Sequence, residues 1–241
     1  MTENFIRIDG QAIPFEPGQT IMDAAQAAGV YIPHLCHHPE FKPHGSCKLC
    51  TIKVNGRSCS ACTMPAMAGQ EILNDTGELN LARRRITQML FVEGNHFCPG
   101  CEKSGDCQLQ AVGYFLGMED THFPHLFPSR RVDASHPDLL LDPDRCILCE
   151  LCVRASQEVD GKGVFEVAGR GLESRLVVNA ESGLLVDTPM TVTDRAASVC
   201  PVGAILVKRT AFRHPIGERI FDQADIAEQS LKQAHSETRH D

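Results

Sequence analysis

The sequence lacks the features that would place it in a membrane or on a nucleic acid. No run of 18 apolar residues occurs among its 241 residues, and the start MTENFIRIDGQAIPF has no basic segment followed by an apolar one. Basic residues are outnumbered by acidic ones: the chain has 23 Lys and Arg and 31 Asp and Glu, which gives a formal net charge of -8. Phosphate binding requires clustered Lys and Arg. These absences predict a cytoplasmic protein that binds neither membranes nor nucleic acids.

Two helices are predicted outside the cysteine-rich segments. The first carries the one dense basic run, residues 83–85, on its solvated face, and its apolar side is predicted to consist of Leu79, Leu81, Ile86, Met89 and Leu90. The second covers residues 217–236 of the tail, with a stripe of Ile220, Ala224, Ala227, Leu231 and Ala234. Such a stripe either docks on a partner or packs on its own domain, which is the commoner arrangement. A frayed end is expected for HSETRHD.

The 12 cysteines are the most unusual feature of the composition. They form three groups by spacing: Cys36, Cys47, Cys50, Cys59 and Cys62, then Cys98, Cys101 and Cys107, then Cys146, Cys149, Cys152 and Cys200. In a reducing compartment, closely spaced cysteines serve as metal ligands or redox groups more often than as disulfides. Three groups therefore predict three metal sites.

The first group follows a predicted hairpin and a short helix. Residues 5–18 alternate in polarity around a turn at Asp9-Gly10, Thr20 can cap the helix, and Gly29 can end it. This order resembles the β-grasp fold of 2Fe-2S ferredoxins. The spacing Cys36-x10-Cys47-x2-Cys50-x11-Cys62 is similar to the ferredoxin domain at the start of the large iron-sulfur subunit of complex I and of related hydrogenase subunits. In that family the last ligand precedes a Thr/Met-Pro step, so the resemblance implies Cys62 as the ligand and leaves Cys59 as a spare, buried apolar residue.

The middle group is one donor short of the four that a closed iron-sulfur site needs. His96 is the nearest candidate, in a loop with Gly94, Gly100 and Gly105. The related subunits hold a 4Fe-4S cluster with one histidine and three cysteines in the pattern H-x3-C-x2-C-x5-C, and this chain has Gly94 where that histidine stands. The alternative is that His96 only donates a hydrogen bond to a carbonyl. A helix that follows is predicted to wall the site with Leu109, Val112, Phe115 and Leu116.

The third group predicts a single 4Fe-4S site. Cys146-x2-Cys149-x2-Cys152 is followed, after 47 intervening residues, by Cys200-Pro201. Ser156 stands where two-cluster ferredoxins carry a further cysteine. A zinc site more often uses two separated C-x2-C pairs. The insert over residues 163–192 alternates Val and Leu with glycine turns, and it is predicted to form a small antiparallel sheet that covers the site.

No nucleotide-binding motif accompanies these sites. The chain has no G-x-G-x-x-G after a predicted strand and no P-loop, and GKGVFE at residue 161 lacks the third glycine, so neither NAD nor FMN is expected here. Sites with four protein ligands leave no open coordination position. The three sites are therefore expected to pass single electrons, and the chemistry at both ends is expected to belong to partner chains.

The resemblance to one family covers nearly the whole chain. The segments EGNHFCPGCEKSGDCQLQ, HLFPSRRVDASHP and DRCILCELCVRAS are similar to the diaphorase small (gamma) subunits of soluble NAD-reducing nickel-iron hydrogenases. The resemblance implies an electron-transfer subunit without a catalytic site of its own, containing one 2Fe-2S and two 4Fe-4S clusters. Its implied partners are an FMN- and NAD-binding diaphorase subunit and the hydrogenase small and large subunits, which carry the flavin and the nickel-iron centre.

An α+β fold with four parts is expected. Residues 1–76 are predicted to form the β-grasp 2Fe-2S domain, 77–135 the histidine-cysteine 4Fe-4S segment, 136–209 a ferredoxin-like 4Fe-4S domain and 210–241 a helical tail. Three other interpretations stay open: an equivalent subunit of an NAD-dependent formate dehydrogenase or of a complex I-type enzyme, a free-standing ferredoxin, and a zinc-stabilised structural module.

Overall fold

The computed structural model describes residues 4–230, which form an α+β fold built around three hydrophobic cores. The N-terminal part is a five-stranded mixed sheet. Its strands, in the order β2-β1-β5-β3-β4, are β1 (Phe5–Ile8), β2 (Gln11–Pro14), β3 (Thr51–Val54), β4 (Arg57–Ser60) and β5 (Glu71–Leu73). β1 pairs antiparallel with β2 and parallel with β5, which places the first hairpin at one edge of the sheet.

The predicted hairpin and helix are both confirmed. Asp9 and Gly10 have φ angles of 50° and 85°, the left-handed pair that a two-residue turn between twisted strands requires. Helix α1 (Ile21–Ala27) begins at Thr20, whose side chain and that of Asp23 bond to each other's backbone N–H in a capping box. The helix packs on the sheet through Ile21, Met22, Ala24 and Ala25, which are all fully buried.

Helix α2 (Gly77–Glu93) contradicts the predicted solvated basic face. Arg83 is fully buried, whereas Leu81 and Met89, assigned to the apolar side, are exposed. The helix turns a mixed face inward, formed by Leu79, Arg83, Thr87, Gln88, Phe91 and Val92. The buried polar groups on this face have partners: Thr87 Oγ1, for example, bonds Arg83 O at 2.9 Å. Hydrophobic periodicity could not identify this face, because Arg83 and Gln88 are satisfied by atoms distant in sequence, the carbonyls of Leu49 and Asp120.

Helix α3 (Gln108–Phe115) follows the middle cysteine group, as predicted. Leu109, Val112 and Leu116 are buried, but Phe115 is 40% exposed, so its inward assignment is wrong. The ring of Phe115 instead makes an edge contact with Tyr31 at 5.0 Å between ring centroids, at the rim of the third core.

The C-terminal part is held together by two small antiparallel pairs. β6 (Leu139–Leu141) pairs with β9 (Ile205–Val207), and β7 (Phe165–Ala168) pairs with β8 (Arg175–Val178). The second pair is the sheet predicted for the insert. The short helices α4 (Leu151–Arg154) and α5 (Arg195–Ser198) lie between these strands, and a π-helical turn, Ala155–Val159, extends α4. Within that turn, Ser156 Oγ accepts a hydrogen bond of 2.8 Å from the backbone N–H of Val164, so the serine closes the insert.

The tail is not the continuous helix predicted for residues 217–236. Helix α6 (Ile220–Gln223) ends at Ala224, whose φ and ψ of -153° and 149° are extended. Ile226 is buried in the third core, which supports packing on the chain's own domain. Leu231, Ala234 and the last seven residues lie outside the described part of the chain.

The third core joins segments from the whole chain rather than from one domain. It combines Tyr31, Leu35, Leu49, Phe91, Leu109, Val112, Val202 and Ile226. The cysteine-bearing loops converge on this core and on the first core, so the fold brings the three groups close to one another. Over residues 4–230, no helix has the length and apolar content needed to cross a membrane.

Candidate iron-sulfur sites

The first site brings together Cys36, Cys47, Cys50 and Cys62. The loop between α1 and β3 supplies the first three, and the turn after β4 supplies Cys62. The backbone N–H of Cys47 lies 3.4 Å from Cys36 Sγ, and the sulfurs of Cys50 and Cys62 are 3.4 Å apart. A hydrogen bond from Cys47 lowers the pKa of Cys36 to about 4, and one from Cys62 lowers that of Cys50 to about 7. The same hydrogen bonds raise the pKa of Cys47 and of Cys62. Each pair therefore favours one thiolate, the form that binds metals, beside one thiol.

Cys59 stands apart from this arrangement. It lies on β4 opposite Ile52 and is half-buried, not fully buried as expected. Burial raises the pKa of its thiol, and Cys50 adds to this effect. Among residues 4–230, its sulfur makes no hydrogen bond to another cysteine, whereas Cys62 meets Cys50 directly. This geometry supports Cys62 over Cys59 as the fourth donor.

The middle site is a small cavity lined by His96, Cys98, Cys101 and Cys107. His96 Nε2 is buried and has no hydrogen-bond partner in the described part of the chain, contrary to the alternative in which it serves a carbonyl. Burial, with a smaller contribution from Arg145, lowers the pKa of His96 to about 4. The imidazole is therefore neutral, which is the form that ligates metals. An unpaired buried nitrogen is costly, and a metal ligand bond removes that cost.

Glycines make room for the histidine and for a cysteine of the middle site. A Cβ on Gly94 would lie 2.7 Å from His96 Nε2 and 2.6 Å from Asp144 O. A Cβ on Gly203 would lie 3.4 Å from Cys101 Sγ. Sequence reasoning named Gly94 as a departure from the family pattern and did not name Gly203, although Gly203 belongs to the Cys-Pro-x-Gly-Ala motif. Both positions are occupied by a residue that lets the chain approach the donors closely.

The third site is a cavity lined by Cys146, Cys149, Cys152 and Cys200. The pairing of β6 with β9 brings Cys200 to the triplet despite the long insert, because each strand lies five residues from its cysteine. Leu148 and Glu150, between the triplet cysteines, have positive φ angles of 52° and 59°. This backbone is strained for such residues, and it coils the loop so that Leu148 N lies 3.4 Å from Cys146 Sγ.

Burial governs the acidity of the third site. It raises the pKa of Cys146 to about 11 and places those of Cys149 and Cys152 well above the ordinary value. Buried thiolates need a positively charged partner, and iron supplies one. Leu176 of β8 lines the same cavity, so the insert covers the site as predicted.

The donors of the middle and third sites surround cavities instead of converging on one point. Over residues 4–230, no three His, Cys, Asp or Glu side chains are grouped as ligands of a single metal ion. The ligands of an iron-sulfur cluster bind different irons, so they stand apart around the core that they hold. Two of the sites have four cysteines each, and the middle site has three cysteines and one histidine. Both kinds of donor set fit iron-sulfur clusters.

Comparisons with known proteins agree with this geometry. Residues 5–77 match the model of a 2Fe-2S iron-sulfur cluster binding domain, 83–122 that of the NADH-ubiquinone oxidoreductase-G iron-sulfur binding region, and 139–207 that of a 4Fe-4S single cluster domain. These matches confirm the predicted α+β iron-sulfur protein with one 2Fe-2S domain and 4Fe-4S regions.

Three relatives match most of the length of this chain. The gamma subunit of the NAD-reducing hydrogenase HoxS of Cupriavidus necator is 40% identical over 228 residues, which cover 94% of this chain and 97% of the relative. The mitochondrial NADH-ubiquinone oxidoreductase 78 kDa subunit of Candida albicans is 31% identical over 217 residues, but this chain spans only 30% of its length.

The third relative is a solved structure, described as an NAD+-reducing [NiFe]-hydrogenase in the H2-reduced state. One of its chains superposes with a TM-score of 0.93 and 52% identity, with 97% of this chain and 99% of that chain covered. The match extends through all three cysteine sites. The chain therefore belongs to the family of gamma subunits of NAD-reducing hydrogenases, as its cysteine spacing predicted.

Proposed function

We propose that this chain is the electron-transfer subunit of a cytoplasmic NAD-reducing hydrogenase and relays single electrons between a nickel-iron module and an FMN- and NAD-binding diaphorase subunit. Three clusters are proposed, with these ligands: Cys36, Cys47, Cys50 and Cys62 for a 2Fe-2S cluster; His96, Cys98, Cys101 and Cys107 for one 4Fe-4S cluster; Cys146, Cys149, Cys152 and Cys200 for the other. When bound, the clusters supply the one-electron carriers. The chain's own residues supply the ligands, the spacing and the exclusion of water.

The observation that carries the proposal is the contact of the third site with both others. Cys36 packs in one core with Cys149 and Cys152, and Cys107 packs in another with Cys146 and Cys200 as neighbours. Cys47 of the first site also packs against the core that contains Cys107, so all three sites are neighbours in the structure. Electron transfer requires short gaps, and this arrangement provides them.

A backbone hydrogen bond links the middle site to the third site. The N–H of Gln108, next to Cys107, donates to the carbonyl of Pro201, next to Cys200, at 2.9 Å. Within the proposal, residues 1–76, 77–135 and 136–209 each carry one site, and residues 210–241 form the tail. The relatives that span this chain from end to end support a hydrogenase as the host enzyme.

The proposal is tested by cluster content. The anaerobically purified full chain should contain about ten iron atoms and about as many acid-labile sulfides, the sum for one 2Fe-2S and two 4Fe-4S clusters. Low-temperature EPR of the dithionite-reduced protein should resolve three paramagnetic species. A colourless protein with stoichiometric zinc would support the structural module instead, and absence of sulfide would reject the electron-transfer role.

A further inference from the structure

Two buried arginines have no acidic partner. Arg83 and Arg154 are 2% and 7% exposed. Over residues 4–230, neither forms an ion pair with a carboxylate within 4.0 Å, whereas six other arginines do. A buried cation without a counter-charge is strongly destabilising. No carboxylate pairs directly with either guanidinium, and Asp75 and Asp9 act on Arg83 only through longer-range electrostatics that rank after that of Cys50. The nearest negative charge must therefore come from another source.

Arg83 is bound to the loop of the first site. Its Nε donates to the carbonyl of Leu49 at 3.0 Å and its Nη2 to the carbonyl of Thr51 at 2.9 Å. These are the residues on either side of Cys50. Its remaining acceptors are neutral amide and carbonyl oxygens of asparagines. Burial lowers the pKa of Arg83, and among the charges that oppose this effect the Cys50 thiolate ranks first.

Arg154 joins the first site to the third. Its Nη2 donates to the carbonyl of Cys36 at 2.6 Å and to that of Cys149 at 3.3 Å. Its Nη1 donates to Lys42 O at 2.8 Å, and the guanidinium carbon lies 5.8 Å from the centre of the Phe41 ring. The Arg154 guanidinium therefore contacts one proposed ligand residue of the first site and one of the third site. Among the described residues, neither Arg83 nor Arg154 donates to a residue of the middle site.

We propose that Arg83 and Arg154 are fixed counter-charges of the iron-sulfur sites, Arg83 for the first site and Arg154 for the first and third sites together, and that they make reduction of those sites more favourable. The proposal rests on the proposed function, because the thiolate-ligated clusters provide the negative charge. Each electron added makes a site more negative, so a nearby fixed cation stabilises the reduced form more than the oxidised form. With an effective dielectric constant of about 20, a unit charge changes such an equilibrium tenfold or more at separations below about 12 Å.

The test compares neutral and charge-conserving variants in redox titrations of the full chain followed by EPR. Arg83→Gln should lower the midpoint potential of the first site alone. Arg154→Gln should lower those of the first and third sites, and the middle site should be unchanged in both. The expected loss is at least tenfold in the reduction equilibrium constant, which is about 59 mV for one electron. Arg85→Gln is the matched control, because Arg85 contacts Gln88 on its own helix and should leave all three sites unchanged.

Lysine variants separate charge from architecture. Arg83→Lys and Arg154→Lys keep the positive charge but lose the fork of hydrogen bonds, so their potentials should stay within threefold of the unmodified chain in equilibrium constant. Lysine variants with potentials as low as those of the glutamine variants would overturn the proposal, as would unchanged potentials in both glutamine variants. If one glutamine variant does not fold, the other still decides, because the potential of the first site should fall in each of them. Iron and sulfide are measured on every sample: an unmodified chain without clusters refutes the proposed function, whereas a cluster-loaded chain with insensitive potentials refutes only the counter-charge role.

Discussion

The substitution Gly94→Ala tests whether His96 holds the middle cluster without touching any ligand. Gly94 has an extended backbone, with φ and ψ of -117° and 179°, which alanine adopts freely. The added methyl group would nevertheless lie 2.6 Å from Asp144 O, 2.7 Å from His96 Nε2 and 2.9 Å from His96 Cδ2. The substitution therefore acts only through the space that it takes from the imidazole and from one carbonyl.

The size of the effect follows from these distances. Ordinary contacts of a Cβ begin at 3.4 Å, so the ring and the carbonyl must each retreat by about 0.7 Å, a strain typical of overpacked sites that cost about 1–3 kcal/mol. The carbonyl of Asp144 also accepts a 2.8 Å hydrogen bond from Asn95 N, so it has little freedom to move. We expect the imidazole to be displaced, because nothing else in the described part of the chain holds Nε2. Displacing groups that orient a metal ligand lowers metal affinity about 10- to 100-fold.

The assay is the rate at which a chelator removes iron, with EPR identifying the cluster that is lost. In Gly94→Ala the middle cluster should be lost about 10- to 100-fold faster, while the first and third clusters decay at unmodified rates. Gly77→Ala is the control, since a Cβ at Gly77 meets no atom within 4 Å. A middle cluster that survives Gly94→Ala as it survives Gly77→Ala would refute the assignment of His96 as a ligand.

Three further substitutions test the ligand sets. His96→Ala should remove the middle cluster and leave the other two, because Nε2 has no other partner among the described residues; unchanged iron content would contradict this. Cys59→Ser should leave all three clusters in place, and loss of the 2Fe-2S EPR signal would show that Cys62 had been chosen wrongly. Cys200→Ser should abolish the third cluster and the electron flow between partners while the partial reactions at each end persist, so retained hydrogen-dependent NAD reduction would place the third site outside the path.

Much of the local structure follows from short-range rules. The Asp9-Gly10 turn, the Thr20 cap and the β7–β8 pair were predictable because each depends on residues within a few positions of one another. The predicted tail helix was wrong because the structure of the tail depends on contacts with residues far away in the sequence. Its apolar spacing indicated one helix, but α6 ends at Ala224 and the chain turns to bury Ile226 against a core formed by distant segments.

At the middle site, counting donors was not enough to identify the fourth ligand. The cysteine count showed that one ligand was missing and that His96 was the nearest candidate. Spacing could not distinguish a ligand from a hydrogen-bond donor, because that difference depends on what surrounds Nε2. In the fold, Nε2 of His96 has no hydrogen-bond partner in the described part of the chain, and Gly94 lies close to the imidazole ring.

The sequence by itself determined which atoms are available to bind metal, since ligand chemistry resides in residue types and in the gaps between them. It also determined the family, because those gaps are specific. Only the tertiary structure decided that the third site adjoins both others and that Arg83 is buried, whereas its position in a basic run indicated solvent. The physical reason is the same in both cases. Arg83 donates to the carbonyl of Leu49, 34 residues away, and Arg154 donates to the carbonyl of Cys36, 118 residues away. No local pattern records contacts that form when distant loops meet in one core.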